Sequence, residues 1–256
     1  MKRRIITGLL ITILSTGCTK EDDGLAGINK AVVESYLAPG QPVSVKITKE
    51  IEYGVDNINQ PLDNLTVIIN HNGTDYALVN AGNGIYNSST IPVNIGGSYQ
   101  LKFDYNGVQV SASTIIPDKP TSFTQSATTM TVPTTFPPTF PNPINLKWEN
   151  PNLDYHLVVV TNIETNPVLI NSGGQGRPVF RTEPSQTTAQ DLSFQQFTYY
   201  GNYRVVLYRI WPEYAALYED NGTNSTNLAE PPTNVVNGRG IFTGINTADT
   251  LYVRVQ

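Results

Sequence analysis

Short runs in which apolar and polar residues alternate constrain the fold of this chain more than any other feature. Apolar side chains occupy every second position in 43–47, 99–103 and 108–112. Because successive side chains of a β-strand point to opposite faces, this period of two predicts strands with one buried and one wet face. Asn-Gly pairs at 72–73 and 106–107 predict tight hairpin turns between such strands. The pattern therefore predicts an all-β chain.

A proline-rich segment divides the strand pattern into two units. Residues 31–117 hold short strands at the spacing of a sandwich or small barrel. Residues 118–143 are rich in Pro, Thr and Ser, and proline cannot donate to a sheet ladder, so we interpret them as a connector with at most an edge strand. The alternating pattern resumes in 144–256. We expect two tandem antiparallel β-sandwich domains.

The second unit resembles a fibronectin type III sandwich. An early strand carries Trp148, a proline follows it, and the motifs Y-x-L-x-V and Y-x-V-x-L stand at 155–159 and 203–207. The resemblance implies an immunoglobulin-like core with Trp148 at its centre. One short helix is expected at 211–218, since Pro212 suits a first helical turn and apolar residues recur along one face.

The first 17 residues are typical of a secretory signal peptide. Basic residues at 2–4 precede an apolar run that is too short to span a bilayer. The lone cysteine of the chain, Cys18, follows small residues and resembles the lipobox cysteine of bacterial lipoproteins, although Ser15 stands where leucine is usual. The resemblance implies that Cys18 is lipidated and begins the mature chain. The alternative is an ordinary signal peptide with an incidental cysteine.

Residues 18–30 have the composition of an acidic tether. Lys20, Glu21, Asp22 and Asp23 resemble the short tag with which lipoproteins of Bacteroidota reach the outer face of the outer membrane. The alternative is a solvated spacer, because charged and flexible residues commonly follow a lipid anchor. The tag implies an outer-membrane protein that faces the cell exterior.

Charge and cysteine content exclude several classes of function. The chain has 21 acidic and 16 basic side chains, and three of the basic ones leave with the signal peptide. A chain this acidic does not hold nucleic acid or an anionic lipid surface by electrostatics. With Cys18 acylated, no thiol remains for disulfide or redox chemistry. Only 14% of residues are charged, and 20 Gly and 18 Pro suit an extracytoplasmic β protein.

The sequence contains no recognisable catalytic or metal-binding motif. His71 is expected in solvent at a hairpin turn and His156 on a central strand, and neither is expected to act as a base or ligand. Glu149 and Asp154 are one candidate carboxylate pair for glycoside hydrolysis, but we expect both at a solvated edge. Residues 219–224 lack the downstream glutamate of a calcium loop. We expect no catalysis, no metal and no cofactor.

Aromatic side chains between residues 199 and 218 are the remaining indication of binding. Core packing explains most of them, but several exposed together would form a platform for a glycan or a docking surface for a peptide or protein. An arginine in a glycine-punctuated loop could contribute to the same surface. The candidate binding residues are Tyr199, Tyr200, Tyr208, Trp211, Tyr214, Tyr218 and Arg239.

Four segments in order resemble a lipoprotein family of Bacteroidota known only as domain of unknown function 4249. They are the lipobox, V-V-E-S-Y-L at 32–37, S-A-S-T-I-I-P at 111–117 and N-V-V-N-G-R-G-I-F-T-G at 234–244. The resemblance implies a surface protein of the outer membrane, often encoded beside a TonB-dependent receptor, and supplies no catalytic residues. We expect an accessory binding or docking lipoprotein; the alternatives are a structural or adhesive module and a carboxylate-dependent glycosidase.

The lipid anchor can be tested by Cys18→Ala. Without the thiol no acyl chain can be attached, so the variant should remain uncleaved or become soluble. Membrane fractionation and metabolic labelling with a fatty acid measure both effects. Unchanged processing and membrane partitioning would contradict the lipoprotein interpretation.

Overall fold

Strands make up nearly all the regular structure of this protein. The computed structural model describes residues 30–50, 60–134, 137–218 and 231–256. The strands in the first half of the chain are β1 (Ala31–Leu37), β2 (Val43–Lys49), β3 (Ile68–His71), β4 (Thr74–Ala77), β5 (Val79–Gly82), β6 (Ile85–Ser88), β7 (Ser98–Tyr105), β8 (Val108–Ile115), β9 (Thr124–Gln125) and β10 (Thr129–Met130).

The second half adds longer strands and a short helical segment. Its strands are β11 (Ile144–Lys147), β12 (Tyr155–Asn162), β13 (Val179–Arg181), β14 (Ala189–Leu192), β15 (Gly201–Ile210), β16 (Val235–Val236), β17 (Arg239–Gly244), β18 (Asn246–Thr247) and β19 (Leu251–Val255). The α-helix α1 (Pro212–Ala215) continues into a 3-10 helix at Ala216–Tyr218, and another 3-10 helix covers Phe194–Gln196. The prediction of an all-β chain with a short helix at 211–218 is confirmed.

Two five-stranded sheets form the first sandwich. Their strand orders are β17-β1-β2-β6-β5 and β16-β8-β7-β3-β4. The alternating apolar positions, among them Val45 on β2 and Leu101 on β7, meet in one buried core. Asn106 and Gly107 have φ angles of 52° and 77°, the left-handed backbone that a type I′ turn needs. The predicted hairpin between β7 and β8 is present, with the Asn-Gly pair at its tip.

The C-terminal segment 235–244 returns to this first sandwich. β17 pairs in parallel with β1, from Val32 opposite Arg239 to Leu37 opposite Gly244, and β16 pairs with β8. The sequence pattern places these residues in the second unit, so the boundary at 144–256 is wrong for this segment. The order of strands along the chain does not reveal which of two cores a strand enters. The structure shows that the fully buried Phe242 of β17 packs in the first core.

The second sandwich has a small and a large sheet. Their orders are β14-β11-β9 and β10-β19-β15-β12-β13, with β18 also paired to β15. Trp148, 5% exposed, lies in the core between them as expected. The connector 118–143 contributes β9 and β10, so part of it belongs to this sandwich.

The large sheet is apolar on both faces. Val158 and Val160 on β12 face the main core, while Leu157 packs on the opposite face with Ile210 and Ala215 of the helical segment. A strand that is covered on both sides carries a continuous apolar run instead of strict alternation. The run at 157–160 has this character. None of the helices in the described residues is long and apolar enough to cross a membrane.

Several hydrogen bonds join the two sandwiches. The indole Nε1 of Trp211 donates to the carbonyl oxygen of Ile115 at 2.6 Å, and Nδ2 of Asn246 donates to the carbonyl oxygen of Pro117 at 2.9 Å. Oγ1 of Thr243 donates to Oε1 of Glu213 at 3.2 Å. The helical segment of the second sandwich is therefore held against β8 and β17 of the first.

The variant Gly240→Ala tests the close pairing of β17 with β1 in the first sandwich. Gly240 has a φ of +91°, and a Cβ there would lie 2.0 Å from the carbonyl oxygen of Val33 on β1. The substitution combines left-handed backbone strain with a clash against a fixed strand, so we expect it to lower the free energy of unfolding by about 3 kcal/mol or more. Chemical denaturation measures this loss.

Gly73→Ala is the matched control. Gly73 has a φ of +79°, and nothing lies within 4 Å of its hypothetical Cβ, so only backbone strain of about 1 kcal/mol should appear. Equal losses in the two variants would show that β17 does not lie tightly against β1.

Candidate functional site

A cavity of about 370 Å³ opens where the first sandwich meets the outer face of the large sheet. The floor comes from β12, β13 and β15, and the helical segment forms one wall. Tyr36 of β1 and Ile245, just after β17, complete the lining from the first sandwich. The remaining lining residues are Leu157, Val159, Val179, Phe180, Arg181, Tyr208, Tyr214 and Tyr218.

Sheet register brings the floor residues together. Leu157 is the cross-strand partner of Tyr208, and Val159 is the partner of Arg181. Directly opposite residues share a face of the sheet and lie within reach of each other. The apolar outer face of β12 thus becomes the base of the cavity, with Tyr208 on one side and Arg181 on the other.

Three tyrosine rings form a continuous row along the cavity. The ring centroids of Tyr36 and Tyr214 are 5.2 Å apart with an interplanar angle of 54°, and those of Tyr214 and Tyr218 are 5.5 Å apart at 75°. The hydroxyl of Tyr218 donates to the hydroxyl of Tyr214 at 3.0 Å. These tilted and edge-on arrangements are favoured for aromatic pairs, so the row is held by its own packing.

Arg181 stands at the end of this row. Its Cζ lies 4.5 Å from the ring centroid of Tyr218, within the range of a cation–π interaction. Within the part of the chain that the structure describes, its side chain makes no ion pair and no hydrogen bond. The guanidinium is therefore held in position by the tyrosine ring while its N–H groups remain free.

Two phenols of the row, those of Tyr36 and Tyr214, have a raised pKa. Burial, followed by the hydrogen bond from Tyr218 and the nearby phenols, raises the pKa of Tyr214 far above its usual range. Burial also raises the pKa of Tyr36, and the charge of Glu34 adds to that effect. Arg181 is the sole charged side chain among the described residues of the lining, and it is positive at neutral pH.

The structure brings together only part of the predicted aromatic surface. Tyr208, Tyr214 and Tyr218 line the cavity. Trp211 instead binds the Ile115 carbonyl at the junction. Tyr199 packs against the second core, and Tyr200, 36% exposed, lies at the far end of β15.

Arg239 lies apart from the aromatic residues. Its Nε is 3.4 Å from Oε1 of Glu50, and it begins β17, whereas the residues of β17 opposite Tyr36 are at the other end of the strand. The prediction that Arg239 joins the aromatic residues in one surface is wrong. Its glycine-punctuated loop leads directly into β17, whose last four residues are buried.

Neither histidine lies in the cavity. His71 is 5% exposed and stacks on the ring of Tyr99 with centroids 4.3 Å apart, so the expectation of a solvated turn residue is wrong. It is the last residue of β3, where its side chain points into the sandwich. His156 is buried as well, and burial lowers its pKa.

The candidate carboxylates already have partners elsewhere. Oδ2 of Asp154 lies 2.6 Å from Nη2 of Arg209, and the carboxylate is sheltered, contrary to the expectation of a solvated edge. Glu149 is exposed as expected and accepts a hydrogen bond from Oγ1 of Thr121 at 3.1 Å. Within the described residues no group of three or more His, Cys, Asp or Glu could hold a metal ion.

Several sequence predictions fall outside the described residues. These are the signal peptide at 1–17, the lipidation of Cys18, the export tag formed by Lys20, Glu21, Asp22 and Asp23, and the segment 219–224 that was compared with a calcium loop.

Comparisons with known proteins identify no family for this chain. No family model matches it, and no curated protein matches it. Among solved structures it is similar to the crystal structure of domains A168-A170 from titin, at 8% sequence identity and a TM-score of 0.25, over 89% of this chain and 67% of that one. Because a TM-score this low does not establish a shared fold, the description of the fold is based on the strand pairing given above.

Sequence reasoning missed two residues that define the cavity, Tyr36 and Arg181. Tyr36 occupies a polar-face position of β1, whose even-numbered positions point away from the first core. A large aromatic residue on the solvent-facing side of a strand is the feature of the sequence that could have indicated a contact or binding role for Tyr36. Arg181 lies in a three-residue edge strand next to a glycine-rich loop, where no pattern in the sequence marks it.

The variant Tyr214→Phe tests the burial of the tyrosine row. The folded-state pKa of Tyr214 is raised above its unfolded value, so its contribution to stability is present below about pH 10 and is lost as the pH rises above that value. Removing the hydroxyl should flatten the alkaline decline of the free energy of unfolding. Urea denaturation at a series of pH values measures the slope, with pH 7 as the reference. An unchanged alkaline slope would contradict a buried Tyr214.

Proposed function

We propose that this protein is a non-catalytic accessory lipoprotein that binds a small ligand in the cavity between its two sandwiches. The single observation that carries the proposal is the tyrosine-lined cavity of about 370 Å³. Its size falls at the lower end of the range typical of small-molecule sites, about 300–1,000 Å³. Apolar walls with a few converging polar groups are also typical of such sites.

The position of the cavity supports a binding role. It lies between two domains, where ligand sites are common, and its walls come from rigid strands and a packed helical segment. Binding sites on rigid elements hold their shape without a ligand. Tyrosine and arginine are also the residues that contribute most to binding surfaces.

The proposed location and partner come from the sequence. A lipidated Cys18 with the acidic tag at 20–23 would anchor the protein to the outer membrane on the cell exterior. The resemblance to domain of unknown function 4249 suggests a TonB-dependent receptor as the partner. In that arrangement the cavity would collect a nutrient and the receptor would import it.

The cavity lining supports binding over catalysis. Among the described residues that line it there is no carboxylate, imidazole or thiol, and a phenol with a raised pKa, such as that of Tyr214, stays protonated and is a weak general base at neutral pH. A carboxylate-dependent glycosidase would need acidic residues at the cavity, and the candidate Asp154 is held by Arg209. A structural or adhesive module is the alternative in which the cavity takes no ligand.

Affinity purification of the native protein from outer membranes tests the proposal. We expect a TonB-dependent receptor to co-purify, and deletion of the gene to reduce uptake of at least one nutrient. A cavity-filling variant, Val179→Trp at the rim, should reproduce the uptake defect, because Val179 is 51% exposed and lines the cavity. Val168→Trp is the control, since Val168 is exposed and lies outside the lining.

Absence of a receptor together with unchanged uptake of every nutrient tested would overturn the accessory role. The structural or adhesive alternative would then take its place. A variant at position 179 that retains full uptake would show that the cavity is not the site.

A further inference from the structure

We infer that the cavity binds an aryl carboxylate, a compact aromatic ring bearing one carboxylate group. This inference rests on the proposed function and names the ligand class of the same cavity. Four observations lead to it: the charge of the lining, the unengaged donors of Arg181, the row of tyrosine rings, and the volume of the cavity.

The charge of the lining favours an anion. Among the described residues that line the cavity, Arg181 is the one charged side chain and none is acidic. The raised pKa values of Tyr36 and Tyr214 keep those phenols neutral. Arg181 is solvent-exposed at one side of the cavity, so its charge is partly screened but still attracts an anion toward the apolar lining.

Arg181 is preorganised for a carboxylate. Its Cζ lies over the Tyr218 ring, 4.5 Å from the centroid. Within the described residues no acceptor binds the N–H donors of this guanidinium, so they are available to a ligand. Two of them can bind both oxygens of one carboxylate, which is the preferred pairing of the two groups.

The tyrosine row supplies a surface for the ring of the ligand. Tyr36, Tyr214 and Tyr218 follow one another at centroid distances of 5.2 and 5.5 Å, and Arg181 continues the row beyond Tyr218. A ligand aligned with this row places its ring against phenol faces and its carboxylate at Arg181. Such aromatic contacts favour a ring over an aliphatic chain of the same area.

The row has a polarity that sets this orientation. Glu34 lies close enough to Tyr36 for its charge to raise the pKa of that phenol, so the Tyr36 end is the more negative one. The opposite end carries the guanidinium of Arg181. An aryl carboxylate is therefore drawn in with its anionic group away from Glu34.

The lining disfavours a sugar as the ligand. A glycan presents many hydroxyl groups, each of which needs a partner when it is buried. Apart from the phenols and Arg181, every lining side chain is aliphatic or a phenylalanine. A volume of about 370 Å³ also suits one or two small rings better than an oligosaccharide.

Calorimetric titration of the purified mature chain tests the inference, with cinnamate and its neutral amide, cinnamamide, as probes. Cinnamate should bind at least about tenfold more tightly than cinnamamide, because only the acid forms a charged pair with Arg181. Arg181→Gln should weaken cinnamate binding by about tenfold to a hundredfold and leave cinnamamide unaffected. Arg181→Lys should restore part of the loss, since lysine keeps the charge but not the paired donors.

Arg254→Gln is the matched control, because Arg254 is an exposed arginine of the same sheet outside the cavity lining. It should bind cinnamate as the unmodified protein does. Far-ultraviolet circular dichroism verifies that each variant is folded. Cyclohexanecarboxylate, which has the charge without the aromatic ring, should bind more weakly than cinnamate.

Three results would overturn the aryl carboxylate inference. They are equal affinity for cinnamate and cinnamamide, unchanged cinnamate binding by Arg181→Gln, and no binding of cinnamate at millimolar concentration. None of these affects receptor co-purification or the uptake defect, so the accessory function can survive the loss of this ligand class. Conversely, tight cinnamate binding without a receptor partner would support the ligand class and contradict the transport role.

Discussion

The parallel pairing of β1 with β17 is the contact on which the rest of the architecture depends. It carries the chain from the second sandwich back into the first core, where Phe242 is fully buried. The backbone N–H of Ile245 then donates to the carbonyl oxygen of Leu37 at 2.8 Å. This bond fixes Ile245 beside Tyr36, and both residues line the cavity. The pairing therefore fastens the two sandwiches together and also forms the wall of the candidate site.

Features that depend on neighbouring residues could be predicted from the sequence. Alternation in β2, β7 and β8 identified strands because the side-chain period of a strand is two. The Asn-Gly pair at 106–107 identified a hairpin because its backbone angles are locally determined. Trp148 was placed in the second core, since a large aromatic residue on an early strand contributes much apolar area to a sandwich. These predictions needed no knowledge of the distant parts of the chain.

Features that depend on distant partners could not be predicted. The sequence of β17 identifies a strand, but its pairing with β1 and the burial of Phe242 are what show that it belongs to the first sandwich. The cavity draws on β1, β12, β13, β15 and the helical segment, which are far apart in the chain. The aromatic residues at 199–218 are close in sequence, yet they separate in the fold because strand pleating and the helical turn direct them to different surfaces. Tyr208, Tyr214 and Tyr218 meet at the cavity, while Tyr199 packs inward.

The cavity is lined by residues of both sandwiches, which links ligand binding to the stability of the domain junction. Tyr36 and Ile245 belong to the first sandwich, whereas Tyr214 and Arg181 belong to the second. A ligand that contacts both sets binds only when the sandwiches are correctly apposed, and by linkage it must stabilise that apposition. The hydrogen bonds from Trp211 and Asn246 already maintain the junction without a ligand. Because this orientation is already fixed, little of the binding free energy is spent on ordering the domains, and a small cavity can still provide useful affinity.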